Sequence, residues 1–370
     1  MKKRKLKKSV KIFFAFILII IILILILLKE DKNDTKNSIN NKDSSKKTEE
    51  KSNSFKKLSL LAVGDVLIHE SVYKDAYING TYDFHKMFED IEPIIKKYDL
   101  KFCNQESTIG GNTLGISGYP SFNSPDEIGD EIVNLGFNLI SLANNHALDK
   151  GVDAVMYSNS FWKTKNVVTS GAYSTKDERD DIKVYEKNGI KYAFLAYTTL
   201  SNNNIDNDYI INMYDESRVK SDIEKIKDKT DLIIVSMHWG EEYTNTPTQS
   251  QRQIAQYLSS LGVNIIIGHH PHVVQPVEYI DSTLVIYSLG NFISNQLVVG
   301  VNEGTGLILG IDIILDDDGI HYDNIYKELI LSYSDNSTNF KVIPFSNLNN
   351  DLLYNYKSIE EKYMKIVNNE

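Results

Sequence analysis

The sequence predicts an α/β domain of two stacked sheets with helices outside them, a four-layer αββα sandwich preceded by an N-terminal transmembrane helix. Short β-branched apolar runs alternate with helical intervals from Leu58 to Ile267, the pattern of parallel strands joined by crossover helices. After Pro276 the apolar runs are joined by tight turns instead, which supplies antiparallel strands. Several strands also end directly in residues of the kind that ligate metals. In open α/β sheets the crevice beyond the carboxyl ends of the strands is where ligands bind, so such residues converge there.

The chain opens with Lys2, Lys3, Arg4, Lys5, Lys7, Lys8 and Lys11, and an uninterrupted apolar run follows from Ile12 to Leu28. Counted from Val10 with Lys11 snorkelling, residues 10–28 approach the ~20 needed to cross a bilayer. Leu27 and Leu28 run straight into Lys29 and Glu30 with no small-residue cleavage site, and no cysteine follows to carry a lipid. The segment is therefore expected to stay as a signal anchor. The positive-inside rule puts residues 1–9, a basic stub, in the cytoplasm and everything beyond Glu30 outside. This predicts a single-pass protein of the cell membrane with an extracellular domain.

Residues 29–56 mix charges with Asn and Ser and hold almost nothing apolar, as a disordered tether does. The formal net charge of −10 includes the seven positive charges before the membrane, so the remainder is strongly acidic. Such a domain is unsuited to gripping nucleic-acid phosphates, and no nucleic-acid partner is expected. Cys103 is the single cysteine, so stability outside the cell must come from a large core rather than an internal disulfide.

The folded domain, residues 57–350, begins with the strand LSLLAVGDV, stopped by Gly64 and Asp65. Tyr82 to Tyr98 carries Phe84, Met87, Phe88, Ile91, Ile94 and Ile95 at roughly helical spacing. The strand Asp99 to Cys103 leads at once into Asn104, Gln105 and Glu106. Ser124-Pro125-Asp126-Glu127 reads as a helix start with Ser124 at the N-cap. The strand Asn138 to Leu142 leads into Asn144-Asn145-His146 and Asp149, and a helix about Val152 to Lys165 precedes the strand Val167 to Ser170. Asn188-Gly189 marks a hairpin. A polar loop, Asn202 to Asp208, and an amphipathic helix, Asp215 to Lys229, come next.

Leu232 to Ser236 and Val263 to Ile267, separated by a helix about Thr248 to Leu261, read as buried parallel strands. His238 follows the first, and His269, His270 and His272 follow the second, four of the eight histidines in the chain. Val277 to Ile280, Thr283 to Ser288, Thr305 to Leu315 and Ile320 to Ser334 complete the strands, with Asp316-Asp317-Asp318-Gly319 as an acidic turn. Residues 351–370 hold a C-terminal surface helix near Leu352 to Val367.

The strand-end residues are Asp65, His69, Glu106, Asn145, His146, Asp149, His238, His270 and His272. Taken singly, Asp65 reads as a turn residue, Asn145 as a loop cap and each histidine as a hydrogen-bonded core residue. Together, carboxylate, amide oxygen and imidazole form a ligand set for Mn, Fe or Zn, and the absence of thiolate argues against a structural zinc knot. Two divalent ions roughly 4 Å apart can activate a water and clamp both oxygens of a hydrolysed ester or acyl group. A histidine left off the metals can act as general acid. Trp239 and Tyr243, beside His238, read either as a stacking surface for substrate or as packing at a strand end.

Gly64-Asp65, Asn104-x-Glu106, Asn144-Asn145-His146-x-x-Asp149-x-Gly151, His238-Trp239-Gly240-x-Glu242-Tyr243, Gly268-x-His270-Pro271-His272-Val273-x-Gln275 and Ser288-Leu289-Gly290-Asn291-Phe292 follow in order between about Lys57 and Leu315. This series resembles that of the CapA/PgsA family, poly-γ-glutamate capsule biosynthesis proteins related to calcineurin-like metallophosphoesterases. The resemblance implies a metallophosphoesterase-like sandwich on a membrane anchor, two bound divalent ions, and catalysis on poly-γ-glutamate or a related envelope polymer beside synthase subunits. It makes Asp65, Glu106, Asn145, His238, His270 and His272 metal ligands, and His146, oriented by Asp149, the general acid. His69, Trp239, Glu242, Tyr243 and Asn291 fall to substrate contact. Val66, Leu67 and Ile68 intervene before His69 where wider phosphoesterases place a histidine two residues after the first aspartate, and Asn104-Gln105-Glu106 replaces a second Gly-Asp. Two functions stay open: metal-dependent hydrolysis or transfer, and a non-catalytic scaffold that holds polymer beside its synthase.

Overall fold

A computed structural model describes residues 55–370. The expected stub, the membrane span and the tether up to residue 54 lie outside the described residues. Among the described residues no helix is long and apolar enough to cross a membrane.

Eight strands form the first sheet, in the order Thr338–Pro344, Gly319–Asp335, Thr305–Asp316, Lys56–Val66, Leu100–Gln105, Leu139–Ser141 and Val168–Ser170, with Asn291–Ile293 paired to the end of Lys56–Val66. Six form the second, in the order Val277–Ile280, Thr283–Ile286, Ile265–His269, Leu232–His238, Ile190–Thr198 and Tyr185–Lys187. The middle of the second sheet is parallel and both its edge strands are antiparallel. The Asn188-Gly189 hairpin forms as expected, both residues having the positive φ that a tight primed turn requires.

The two-residue period of the strands separates the layers. Leu58, Leu60 and Ala62 face the second sheet, whose Leu232, Ile234, Ile265 and Ile267 meet them in one core. Leu61 and Val63 point the other way, against Val72, Ile128, Ile132, Val155 and Trp162 of the helices Glu70–Ala76, Asp126–Asn134 and Gly151–Lys163. Ile233, Val235, Met237 and Ile266 likewise pack on the helices Glu216–Ile226 and Gln249–Ser260. Helices, sheet, sheet and helices therefore stack in the expected order. With both faces of the central strands covered, their sequences are continuous apolar runs.

Four local features differ from the sequence reading. The apolar stretch 82–98 is not one helix but a 3-10 turn, His85–Met87, and a single α-turn, Glu92–Ile95, because Pro93 lacks an N–H and fits only a first turn. Ser124 does not cap the next helix; Pro125 holds the N-cap position and the Ser124 hydroxyl bonds Ser107 instead. The C-terminal helix, Tyr356–Val367, is more than a surface element, since Tyr363 and Val367 are buried in the core between the sheets. Asn291–Ile293 adds a short parallel strand that the sequence left as a motif only, and its approach is close. A Cβ on Gly64 would sit 1.7 Å from the Gly290 carbonyl oxygen, which itself accepts the Asp65 N–H at 3.0 Å. Only glycine leaves room for that contact.

Candidate metal centre

Strand register decides which side chains meet. Asp65 lies opposite Asn104 on one side and Asn291 on the other, and His238 lies opposite His269 in the second sheet. The carboxyl ends of both sheets face one crevice, into which Glu106, Asn145, His270 and His272 arrive from the loops that follow. Asp65, Glu106, His238 and His269 are fully buried.

Asp65 is surrounded by donors. Its Oδ1 accepts from Asn104 Nδ2 at 2.7 Å, and its Oδ2 lies 3.3 Å from both the His270 backbone N–H and His272 Nδ1. His272 Nδ1 is also 3.0 Å from Asn291 Oδ1. Two acceptors at Nδ1 require a hydrogen there, so Nε2, 3.7 Å from Glu106 Oε1, is the nitrogen that would meet a cation once its own proton has left. His238 Nε2 is 2.8 Å from Asn145 Oδ1 and 3.7 Å from Glu106 Oε1.

Glu106 has the opposite surroundings: neither carboxylate oxygen has a hydrogen-bond partner among the described residues, and neither does His270 Nδ1. An unsatisfied buried polar atom costs about 1–3 kcal/mol, more when charged. Ligand atoms of Asp65, His238 and His269 lie within 4.8 Å of one another, as do those of Glu106, His270 and His272. The orphaned atoms of Glu106 and His270 in the second trio fit a divalent cation, whereas Asp65, His238 and His269 already have hydrogen-bond partners, and the donor set of the centre suits Mn, Fe or Zn.

The electrostatics follow from these contacts. Burial and the nearby charge of Asp65 push the Glu106 carboxyl well above its usual range. Asp65 is held below its usual range against the cost of burial, chiefly by the hydrogen bond and charge of His272. Burial opposes charge on His272, but Glu106 and Asp65 outweigh it and raise its pKa to about 9. Burial followed by the neighbouring imidazoles keeps His270 neutral down to about 3, and burial keeps His269 neutral to about 4.

Beside this cluster His146 Nδ1 lies 2.7 Å from Asp149 Oδ2, which also accepts the Phe122 N–H at 2.8 Å. Asp149 therefore fixes the Nδ1–H tautomer and leaves Nε2 to exchange a proton. The edge of Phe122 meets His146 at 4.8 Å between centroids and His69 at 5.4 Å. Asn202 lies between this pair and the ligands: its Oδ1 accepts from Asn145 Nδ2 at 3.3 Å, and its Nδ2 lies 3.2 Å from His146 Nδ1, a contact that the Nδ1–H tautomer leaves without a hydrogen bond.

The residues assigned to substrate contact separate. Tyr243 is 44% exposed with its ring 6.2 Å from that of His272, and Glu242 beside it is exposed. Trp239 instead lies in the core outside the second sheet, its indole N–H donating to the Tyr287 carbonyl at 2.9 Å. Asn291 is fully buried and serves His272. His69 is part-buried, Nδ1 within 3.1 Å of the Leu67 carbonyl and 3.2 Å of the Asn295 N–H, and belongs to neither ligand trio. His269, Asn202 and Phe122 are the site neighbours that the sequence reading left out of its assignments. Three non-glycine residues here have positive φ, Tyr243 at 63°, His270 at 100° and His272 at 58°. Such strain concentrates at functional sites.

The fold and the site define an α/β sandwich with a buried carboxylate and imidazole centre at the carboxyl ends of its strands. The chain belongs to the bacterial capsule synthesis protein PGA_cap family, whose model matches residues 59–296. It is 31% identical over 245 residues to the PGA biosynthesis protein CapA of Bacillus subtilis (strain 168), covering 65% of this chain and 64% of that one. To the capsule biosynthesis protein CapA of Bacillus anthracis it is 28% identical over 252 residues, covering 65% and 60%. The matched region thus spans less than two thirds of the length of these relatives. Among solved structures the chain is similar to a phosphatase from Mycoplasma pneumoniae, with a TM-score of 0.48, 17% identity and coverage of 75% of this chain and 95% of that one.

The centre gives metal-free protein a pH dependence of defined sign. The unfolded chain ionises Glu106 near its ordinary 4.5 while the fold holds it neutral, so its contribution falls as pH rises above 4.5. His272 contributes fully below 6.5 and loses that contribution as pH rises through about 9. Thermal stability in chelator is therefore expected to fall from pH 6.5 to 9, and Glu106→Gln to lessen the slope. Manganese should stabilise the wild type more as pH rises; a manganese effect that does not grow with pH would contradict this account.

Proposed function

We propose that this chain is a membrane-anchored, extracellular member of the poly-γ-glutamate capsule machinery. Its metallophosphoesterase-type domain hydrolyses or transfers poly-γ-glutamate or a related envelope polymer, with synthase subunits as partners. The family supports the polymer; the carrying observation is the conjunction in one crevice of unpaired buried ligand atoms on Glu106 and His270 with the aligned His146 and Asp149 pair. Holding a polymer requires no imidazole fixed in one tautomer by a buried carboxylate.

Glu106, Asn145, His238, His270 and His272 would hold one or two divalent ions, with Asp65 as a further ligand or as the anchor of His272. Bound there, the ions supply Lewis-acid charge to an ester or acyl oxygen and to the attacking water. The chain's own residues perform the remaining tasks. Asp149 keeps His146 oriented, and His146 Nε2 gives a proton to the leaving group. Tyr243, held at the mouth beside His272, orients the substrate, and the depth of the crevice keeps bulk water from the ligands. Cations at the centre also offset the negative charge of the domain toward an anionic polymer.

His146→Ala is expected to retain metal while losing roughly 10²–10⁴ in turnover, the usual worth of general acid catalysis, and Asp149→Asn to lose less. In a producing strain with verified protein level, His146→Ala should alter the amount or chain length of surface polymer. Wild-type polymer in that strain would reject catalysis in favour of the scaffold. For the anchor, protease added to intact cells should release the domain by cutting within residues 29–56, and a protected domain would overturn that topology.

A further inference from the structure

We propose that Ser236 and His269 are positioning residues for His238, forming a hydrogen-bonded relay whose direction reverses when the centre takes up a divalent ion. The inference rests on the metal-binding reading above. Ser236 Oγ lies 2.6 Å from His269 Nε2, and His269 Nδ1 lies 2.8 Å from His238 Nδ1. His238 Nε2 continues the line to Asn145 Oδ1 at 2.8 Å. Ser236, His238 and His269 are fully buried, so no solvent competes for these contacts. The strands build the relay: Ser236 and His238, two residues apart, share one face, and His269 lies opposite His238 in the neighbouring parallel strand.

Two ring nitrogens 2.8 Å apart share one hydrogen, so one must donate and the other accept. The far end of the relay decides which. Asn145 Oδ1 is an acceptor, so in the metal-free protein His238 carries its hydrogen on Nε2. His238 Nδ1 then accepts from His269 Nδ1–H, and His269 Nε2 accepts from the Ser236 hydroxyl. A His238 that ligates through Nε2 must carry its hydrogen on Nδ1 instead. It then donates to His269 Nδ1, and His269 Nε2–H donates to Ser236 Oγ.

Each ring keeps one hydrogen in both orders, and the serine hydroxyl, both donor and acceptor, only turns. A methyl or an apolar ring in place of either partner would satisfy neither order. Both nitrogens of His269 are occupied in each, which makes it a support rather than a ligand although it lies beside Asp65 and His238. Hydrogen bonds to the distal nitrogen of a ligating histidine fix its tautomer and ring orientation.

The test is NMR of the full-length chain labelled with 15N-histidine, metal-free and loaded with zinc, together with zinc titrations of Ser236→Ala and Ser236→Thr. Zinc is expected to move the His238 hydrogen from Nε2 to Nδ1 and the His269 hydrogen from Nδ1 to Nε2. Ser236→Ala should weaken zinc binding by about 10–100-fold, and Ser236→Thr, which keeps the hydroxyl, should restore it. Zinc binding that leaves the His269 tautomer unchanged, or wild-type affinity in Ser236→Ala, would overturn the relay. If Ser236→Ala does not fold, the wild-type spectra decide alone. A wild-type chain that binds no zinc removes the metal reading itself, and the relay with it.

Discussion

Glu106 stands at the end of a central strand, fully buried, with no donor to either oxygen. An ionised carboxylate in that position costs several kcal/mol unless a positive charge faces it. Asp65, equally buried one strand away, has Asn104, His272 and the His270 N–H around it and is held in its charged form. The two carboxylates therefore have different tasks. Asp65 organises the imidazoles; Glu106 waits for a cation. The unpartnered Nδ1 of His270 and the buried contact between Asn145 and His238 are arranged around that same need.

Holding such a cluster open against collapse falls to the backbone. His270, His272 and Tyr243 occupy the left-handed region, at a cost of about 1–3 kcal/mol each. The Tyr243 N–H donates to the Pro271 carbonyl at 2.8 Å, Gln275 Nε2 to the Thr244 carbonyl at 2.7 Å, and Asn245 Nδ2 to the Val274 carbonyl at 2.9 Å. Gln251, inside the capping box of the Gln249–Ser260 helix, supports Gln275 in turn at 2.8 Å. Two loops from adjacent strands are thereby laced together, and one hydrogen-bonded network ties the ligand loop to the half-exposed tyrosine at the mouth.

The strand ends were the most legible part of the sequence. A β-branched run that stops at Gly-Asp, Asn-Gln-Glu or His-His-Pro-His shows where the chain leaves the core and which groups it carries to the rim. Side chains that work at one remove were not legible. Ser236 looks like a strand residue and Asn202 like loop composition until register and folding place them against His269 and His146. Trp239 and Asn291 read as rim residues by adjacency, but an indole beside a strand end turns into the helix-side core, and Asn291 turns inward to hold His272. The break at Pro93 was visible as a proline, yet the apolar spacing on both sides concealed it. The expected membrane anchor rests on composition alone and falls outside the described residues.

The central claim is that Glu106 and His270 are left unpaired because a divalent ion completes them. Calorimetric titration of the chelator-treated, full-length chain with manganese tests it most directly, with the His238→Ala and His270→Ala variants alongside. The account predicts one or two equivalents bound by the wild type, and affinity at least tenfold weaker in each variant, as loss of a ligand requires. Wild-type manganese binding in both variants, or none in the wild type, would contradict it.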